Sequence, residues 1–325
     1  MNDTELTFQE TLNLLLDENK KLSSEALVQF SDILPEQLKM LLDIWNEVTL
    51  SRRQSFLALL KKALEDDLLL SYNALARALL SDEDAVIRTI AIRLLSDYDR
   101  EDIIPAFLEI ALYDPESEPR AEAITTLGSY VLDGELEEIS KENLKKIEDA
   151  LIQIAQSDKK TELRQRAIES LGFSSRKEVR PLIKDAWERK TVMWTASAVS
   201  AMGRSYDKGW EEEIIEALLN ENEIIRLAAT KAAGELSLPS ARPILLRILT
   251  DDDDEAVLRA AIWSLSQVGG EDVREYLLSL LDQYDDDEFA QMEYIEDALS
   301  NLDFTEDTQS LDLFDFDGDD IPENH

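Results

Sequence analysis

The chain has 325 residues, no cysteine, and a formal net charge of −38 from 33 Lys and Arg against 71 Asp and Glu. A field of that sign repels phosphate backbones and anionic lipid, which argues against nucleic-acid and membrane partners and leaves a basic protein or peptide as the easier one. Without cysteine there are no disulfides or thiol nucleophiles. The acidic opening MNDTELTFQE lacks a signal peptide's basic and apolar regions, and no run reaches the ~18 apolar residues of a membrane span, so the expectation is a soluble, cytoplasmic protein.

Apolar spacing of three and four residues predicts helices over 4–18, over 24–48 with a break near Pro35, and then over 51–65 and 69–80. In PEQLKMLLDIWNEV, Pro35 suits a helical first position, and Leu38, Leu41, Leu42 and Trp45 share one side. These helices match the later units poorly. Residues 1–81 are therefore expected to form an irregular helical cap, as the terminal units of repeat arrays do.

A register becomes visible from Asp82. Small or polar residues recur near the end of one helix in each unit: Ser96, Gly128, Gly172, Gly203, Gly234, Ser266 and Ser300, at intervals of 32, 44, 31, 31, 32 and 34 residues. Eight places before them stand Arg88, Arg120, Arg164, Thr195, Arg226, Leu258 and Met292, with the sixth unit's Arg displaced by one place to Arg259. Pro105, Pro181 and Pro243 each follow the register residue by nine, where a Pro in the first turn of a second helix costs no hydrogen bond. Neither helix of a unit is long enough to be stable alone, so each pair buries its stripe on its neighbours. The long interval predicts an inserted loop over 131–139, with a helix opening at the N-cap Ser140. After Leu302 the chain has no Lys or Arg and alternates acids with Leu, Phe and Ile, so 303–325 reads as an acidic disordered tail beyond the 82–302 array.

The pattern hydrophobic–Arg–x–x–Ala–hydrophobic–x–x–Leu–Gly, with an acidic turn before it and Pro-x-x-Leu after it, resembles the HEAT repeat. It is closest to the short HEAT-like units first named from phycobilisome lyases. It reads ELRQRAIESLG at 162–172, IIRLAATKAAG at 224–234 and AVLRAAIWSLS at 256–266. The resemblance implies an all-α, right-handed α-solenoid of stacked hairpins, with the Arg-bearing helices lining the concave side and the Pro-led helices outside.

Within that frame the chemistry is sparse. A HEAT-type hydroxylase needs His-Glu pairs for iron, whereas the one histidine here is His325. Neither a metal nor another cofactor is expected, and the absence of imidazole and thiol also disfavours Ser-His and Cys-His catalysis. DFDGDD at 315–320 lacks a calcium loop's first and last ligands, since Leu313 and Asn324 fall there. Arg88, Arg120, Arg164 and Arg226 are expected to form a structural ladder with acids of the turns.

Trp45, Trp187 and Trp194 fall on apolar stripes and read as core; the face of Trp210 cannot be assigned. Trp263 differs, because its row is filled elsewhere by Arg93, Thr125, Glu169, Ser200 and Lys231. The row four places earlier shares that face and holds Thr89, Ala121, Gln165, Ala196, Leu227 and Arg259. Toward the C-terminal half the two rows become Leu227, Lys231, Arg259 and Trp263, an apolar and cationic strip in an acidic protein and the expected partner-binding surface. The function expected is a non-enzymatic scaffold binding a protein or peptide along the concave groove. The alternative is a lyase-type or enzyme-accessory role toward a tetrapyrrole or a modified protein.

Overall fold

The computed structural model describes residues 6–67, 69–283 and 289–312. Among them every regular element is a helix, and the architecture is an all-α solenoid in two compact units, Met1–Ser170 and Leu171–His325.

The first unit holds α1 (Phe8–Leu16), α2 (Ser24–Val28), α3 (Pro35–Ile44), α4 (Leu50–Asp66), α5 (Asn73–Leu79), α6 (Ala85–Arg93), α7 (Ile104–Tyr113), α8 (Ser117–Glu135), α9 (Lys141–Ser157) and α10 (Thr161–Leu171), whose last residue opens the second unit. Thr7 and Glu10 cap α1 reciprocally, so that helix starts later than periodicity alone suggests. Pro35 opens α3 as expected. Of the predicted stripe, Leu41 on α3 and Trp45 just past its end are buried, Leu38 is half-buried and Leu42 is exposed. An aromatic cluster holds the N-terminal helices together. Phe30 lies edge-on to Phe8 and Phe56 with ring centroids 5.5 and 4.7 Å apart, and Trp45 meets Phe56 at 6.4 Å.

The loop expected over 131–139 is mostly helix. α8 runs through Glu135, and only the residues between it and Lys141 connect it to α9. Longer helices absorb the long interval: α8 has 19 residues and α9 has 17. Tyr130 and Val131 continue the buried stripe past the register residue, so the helix gains by continuing. Gly134 does not stop it, because its missing side chain leaves room for Leu144 of α9, whose Cδ1 would lie 2.6 Å from a Cβ there. Ser140 caps α9 and is itself held by the Glu101 carboxylate at 2.6 Å.

The second unit comprises α11 (Val179–Glu188), α12 (Val192–Arg204), α13 (Glu211–Leu218), α14 (Glu223–Glu235), α15 (Arg242–Asp251), α16 (Glu255–Val268), α17 (Glu271–Leu281) and α18 (Phe289–Asp312). Here α12, α14, α16 and α18 pack side by side as one layer, and α11, α13, α15 and α17 each pack on the helix that follows. Pro105, Pro181 and Pro243 all lie in the first turn of their helices. The register residues are small because neighbouring layer helices meet there. A Cβ on Gly172 would fall 2.9 Å from the Cα of Ala201, one on Gly203 2.7 Å from the Cα of Ala232, and one on Gly234 2.8 Å from the Cα of Ser264. In each case the neighbour stands two residues before the next register residue, which is why the period holds.

The folded part does not end near 302. α18 continues to Asp312, and Arg274 of α17 bonds Asp303 and Glu306 at 2.6 and 2.5 Å. Those ion pairs hold an acidic stretch in helix that composition alone assigned to disorder. Residues 313–325, with DFDGDD and His325, lie outside the described residues.

Candidate functional site

In the layer of the second unit, Leu227 and Lys231 are one turn apart on α14, and Arg259 and Trp263 are one turn apart on α16. The structure brings all four to one open hollow of about 420 Å³, completed by Glu235, Ala256, Ala260 and Tyr294. Lys231 and Arg259 are exposed and Leu227 is half-buried. Trp263 keeps 36% of its surface exposed.

Each side chain has a local reason to be there. Trp263 lies over α14 because Gly234 has no side chain; a Cβ on Gly234 would be 2.7 Å from the Trp263 ring. Below it, Ser264 Oγ donates to the carbonyl of Thr230 at 2.7 Å and locks the two helices in register. Arg259 is the displaced member of the Arg row. One residue turns a helix by about 100°, which takes this guanidinium out of the turn and into the hollow, 4.8 Å from the centroid of the Tyr294 ring. Tyr294 is fixed in turn, its hydroxyl donating to the carbonyl of Arg259 at 2.8 Å.

Glu235 follows Lys231 by one turn, in space that Gly203 leaves open, since a Cβ there would strike the Glu235 carboxylate. Burial pushes its carboxyl above the usual carboxylate range, and the charges of Arg204 and Lys231 work against that rise. The hollow thus has an aromatic floor, two exposed cations at its rim and one half-buried carboxyl at its edge. A neighbouring hollow of about 270 Å³ between α16 and α18 shares Arg259 and Tyr294 and extends the strip past Leu258 and Ile262.

The other Arg residues lie elsewhere. Arg88 donates twice to Asp114 at 2.7 Å and reaches back to the carbonyls of Asp82 and Glu83. Arg226 repeats the arrangement with Asp252 at 2.6 and 3.0 Å and with the carbonyls of Asn220 and Glu221. Arg120 pairs with Asp158 and the carbonyl of Ala111, and Arg164 donates to the carbonyl of Ala155. Each guanidinium ties its helix to the chain before or after it, and none lines the Trp263 hollow. A larger hollow, about 580 Å³, lies around Arg226, Arg247 and the four aspartates of 251–254. It surrounds one rung of this ladder, and Arg226 is already engaged there.

Trp45, Trp187, Trp194 and Trp210 are all buried. Trp210, whose face the sequence left open, sits under Arg180, with the guanidinium 4.2 Å from its ring. Sequence reasoning missed Tyr294 and Glu235. Tyr294 stands where the two preceding units have Ala228 and Ala260, so a large residue in a small-residue row was its available signal. Glu235 had none, because its burial depends on a glycine 32 residues earlier.

Residues 211–294, which contain the whole hollow, match the protein-family description HEAT repeats. These residues carry HEAT repeats. No curated protein matches it. Among solved structures, the complex of CpcE and CpcF of phycocyanin lyase from Nostoc sp. PCC7120 is 18% identical with a TM-score of 0.47, covering 71% of this chain and 94% of that one. Importin beta is 12% identical with a TM-score of 0.44, over 90% of this chain and 46% of its own. Human deoxyhypusine hydroxylase is 13% identical with a TM-score of 0.35, over 80% and 95%. Among the described residues, no group of three or more His, Asp or Glu is placed to hold a metal ion. No helix among them is long and apolar enough to cross a membrane.

Proposed function

We propose that this HEAT-repeat protein is a non-enzymatic scaffold whose hollow at Trp263 takes a linear segment of a partner protein. One observation carries the reading: a Trp with 36% of its surface exposed and a half-buried Leu line one hollow together with two exposed cations in an otherwise acidic protein. Aromatic and Arg side chains on such surfaces supply most of the binding energy at interfaces. An apolar side chain of the partner packs on Trp263 and Leu227, and a carboxylate meets Lys231 and Arg259. The basic partner favoured by the net charge would be met on the rest of the surface, where acids dominate.

Selection of displayed peptides on the full chain tests this. Enriched peptides should combine apolar and acidic residues and lose about tenfold or more in affinity to Trp263→Ala, the ~1.4 kcal/mol or more expected of an anchor residue. Peptides that bind the Trp263→Ala and Arg259→Ala proteins as tightly as the parent would remove the hollow from consideration.

A further inference from the structure

The segment beyond Asp312 has the chemistry the hollow selects. Residues 313–325 carry Asp315, Asp317, Asp319, Asp320 and Glu323, apolar Leu313, Phe314, Phe316 and Ile321, and no Lys or Arg. Its starting point follows from how the last helices lie. Tyr294 bonds the carbonyl of Arg259, and Asn301 donates to Ser266 at 2.8 Å, so α18 runs in the same direction as α16 with a constant offset. Trp263 is then level with Ala298, and the described helix ends fourteen residues further on, at Asp312.

Reach decides which residues of the segment can return. Fourteen helical residues span about 21 Å at 1.5 Å each. A fully extended chain covers about 3.3 Å per residue, so Phe314 and Phe316, within ~13 Å of Asp312, fall short of Trp263. Ile321, nine residues out, reaches about 30 Å by the same rule, and Asp319 and Asp320 precede it.

We infer that Asp319, Asp320 and Ile321 of this same chain occupy the hollow, the aspartates against Lys231 and Arg259 and Ile321 on Trp263, and that a partner segment binds by displacing them. This rests on the reading that the hollow takes an acidic and apolar segment. Tethering makes the contact intramolecular, so it depends on effective rather than bulk concentration. A partner then meets a site of which only a fraction is open, and its apparent affinity falls by that fraction.

Carbodiimide coupling of the full chain, followed by peptide mapping, tests the inference. The expected product joins Lys231 to Asp319 or Asp320, with a yield unchanged over tenfold dilution and falling about fivefold in Ile321→Ser, as a weakened intramolecular contact requires. Full chain carrying Asp319→Asn, Asp320→Asn and Ile321→Ser should bind a selected peptide about threefold or more tightly than the parent. Coupling of Lys231 to no carboxylate beyond Asp312, or a yield that grows with protein concentration, overturns self-occupancy. If Trp263-dependent peptides are found without that coupling, the hollow stands and the inference about the segment falls. If the coupling is found and no selected peptide depends on Trp263, the segment's docking is upheld and the partner reading falls.

Discussion

Arg226 and Asp252 show at the scale of one residue pair what the repeated Arg does. The aspartate side chain is 5% exposed and the guanidinium 20%, so neither group is well screened by water. The Arg226 hydrogen bonds hold the Asp252 carboxyl below its usual range. The folded state then binds fewer protons at acid pH than the unfolded state, so this pair's contribution is present above the unfolded value near ~4 and is lost as pH falls through the lower folded value. Asp252→Asn should lower stability in urea at pH 7 by about 1.5–3 kcal/mol, the range for a lost hydrogen bond to a charged group. The gap to the parent should shrink as pH falls below ~4. A gap that stays constant from neutral to acid pH would assign the loss to packing instead.

At the scale of elements, the period of the array comes from where neighbouring helices touch. Gly203 meets the backbone of Ala232 and makes room for Glu235, so an added methyl has no free space. Gly203→Ala should be destabilising by about 1–3 kcal/mol through overpacking, which outweighs the ~1 kcal/mol that alanine gains over glycine in a helix interior. A thermal melt no lower than the parent's would mean that α12 and α14 do not depend on this close approach. The same scale explains α8. Composition around Gly134 reads as a turn, but a glycine facing Leu144 is a packing feature, and the helix runs through it.

For the whole molecule the dominant fact is the charge of −38. Like charges on a compact chain repel, and salt screens that repulsion over about 10 Å at 0.1 M. Raising NaCl from 10 mM to 0.5 M should therefore raise the melting temperature, even though it weakens the exposed ion pairs on the surface. A lower melting temperature in salt would show that attractive pairs, rather than net repulsion, govern stability. The excess also sets the hollow apart, since exposed Lys231 and Arg259 stand together on a surface dominated by acids.

Periodicity belongs to the sequence. Spacing of three and four residues places Leu227 with Lys231 and Arg259 with Trp263, and a repeat near 32 residues sets the two pairs beside each other, so the strip was legible from the chain alone. What lies across a helix pair was not. Tyr294 over Arg259, the half-buried carboxyl of Glu235, the helix through Gly134 and the continuation of α18 under Arg274 each depend on a residue from another element. Local patterns report what a segment prefers. Which preference wins is decided by the neighbour that removes water or supplies the opposite charge, and only the packed helices show that neighbour.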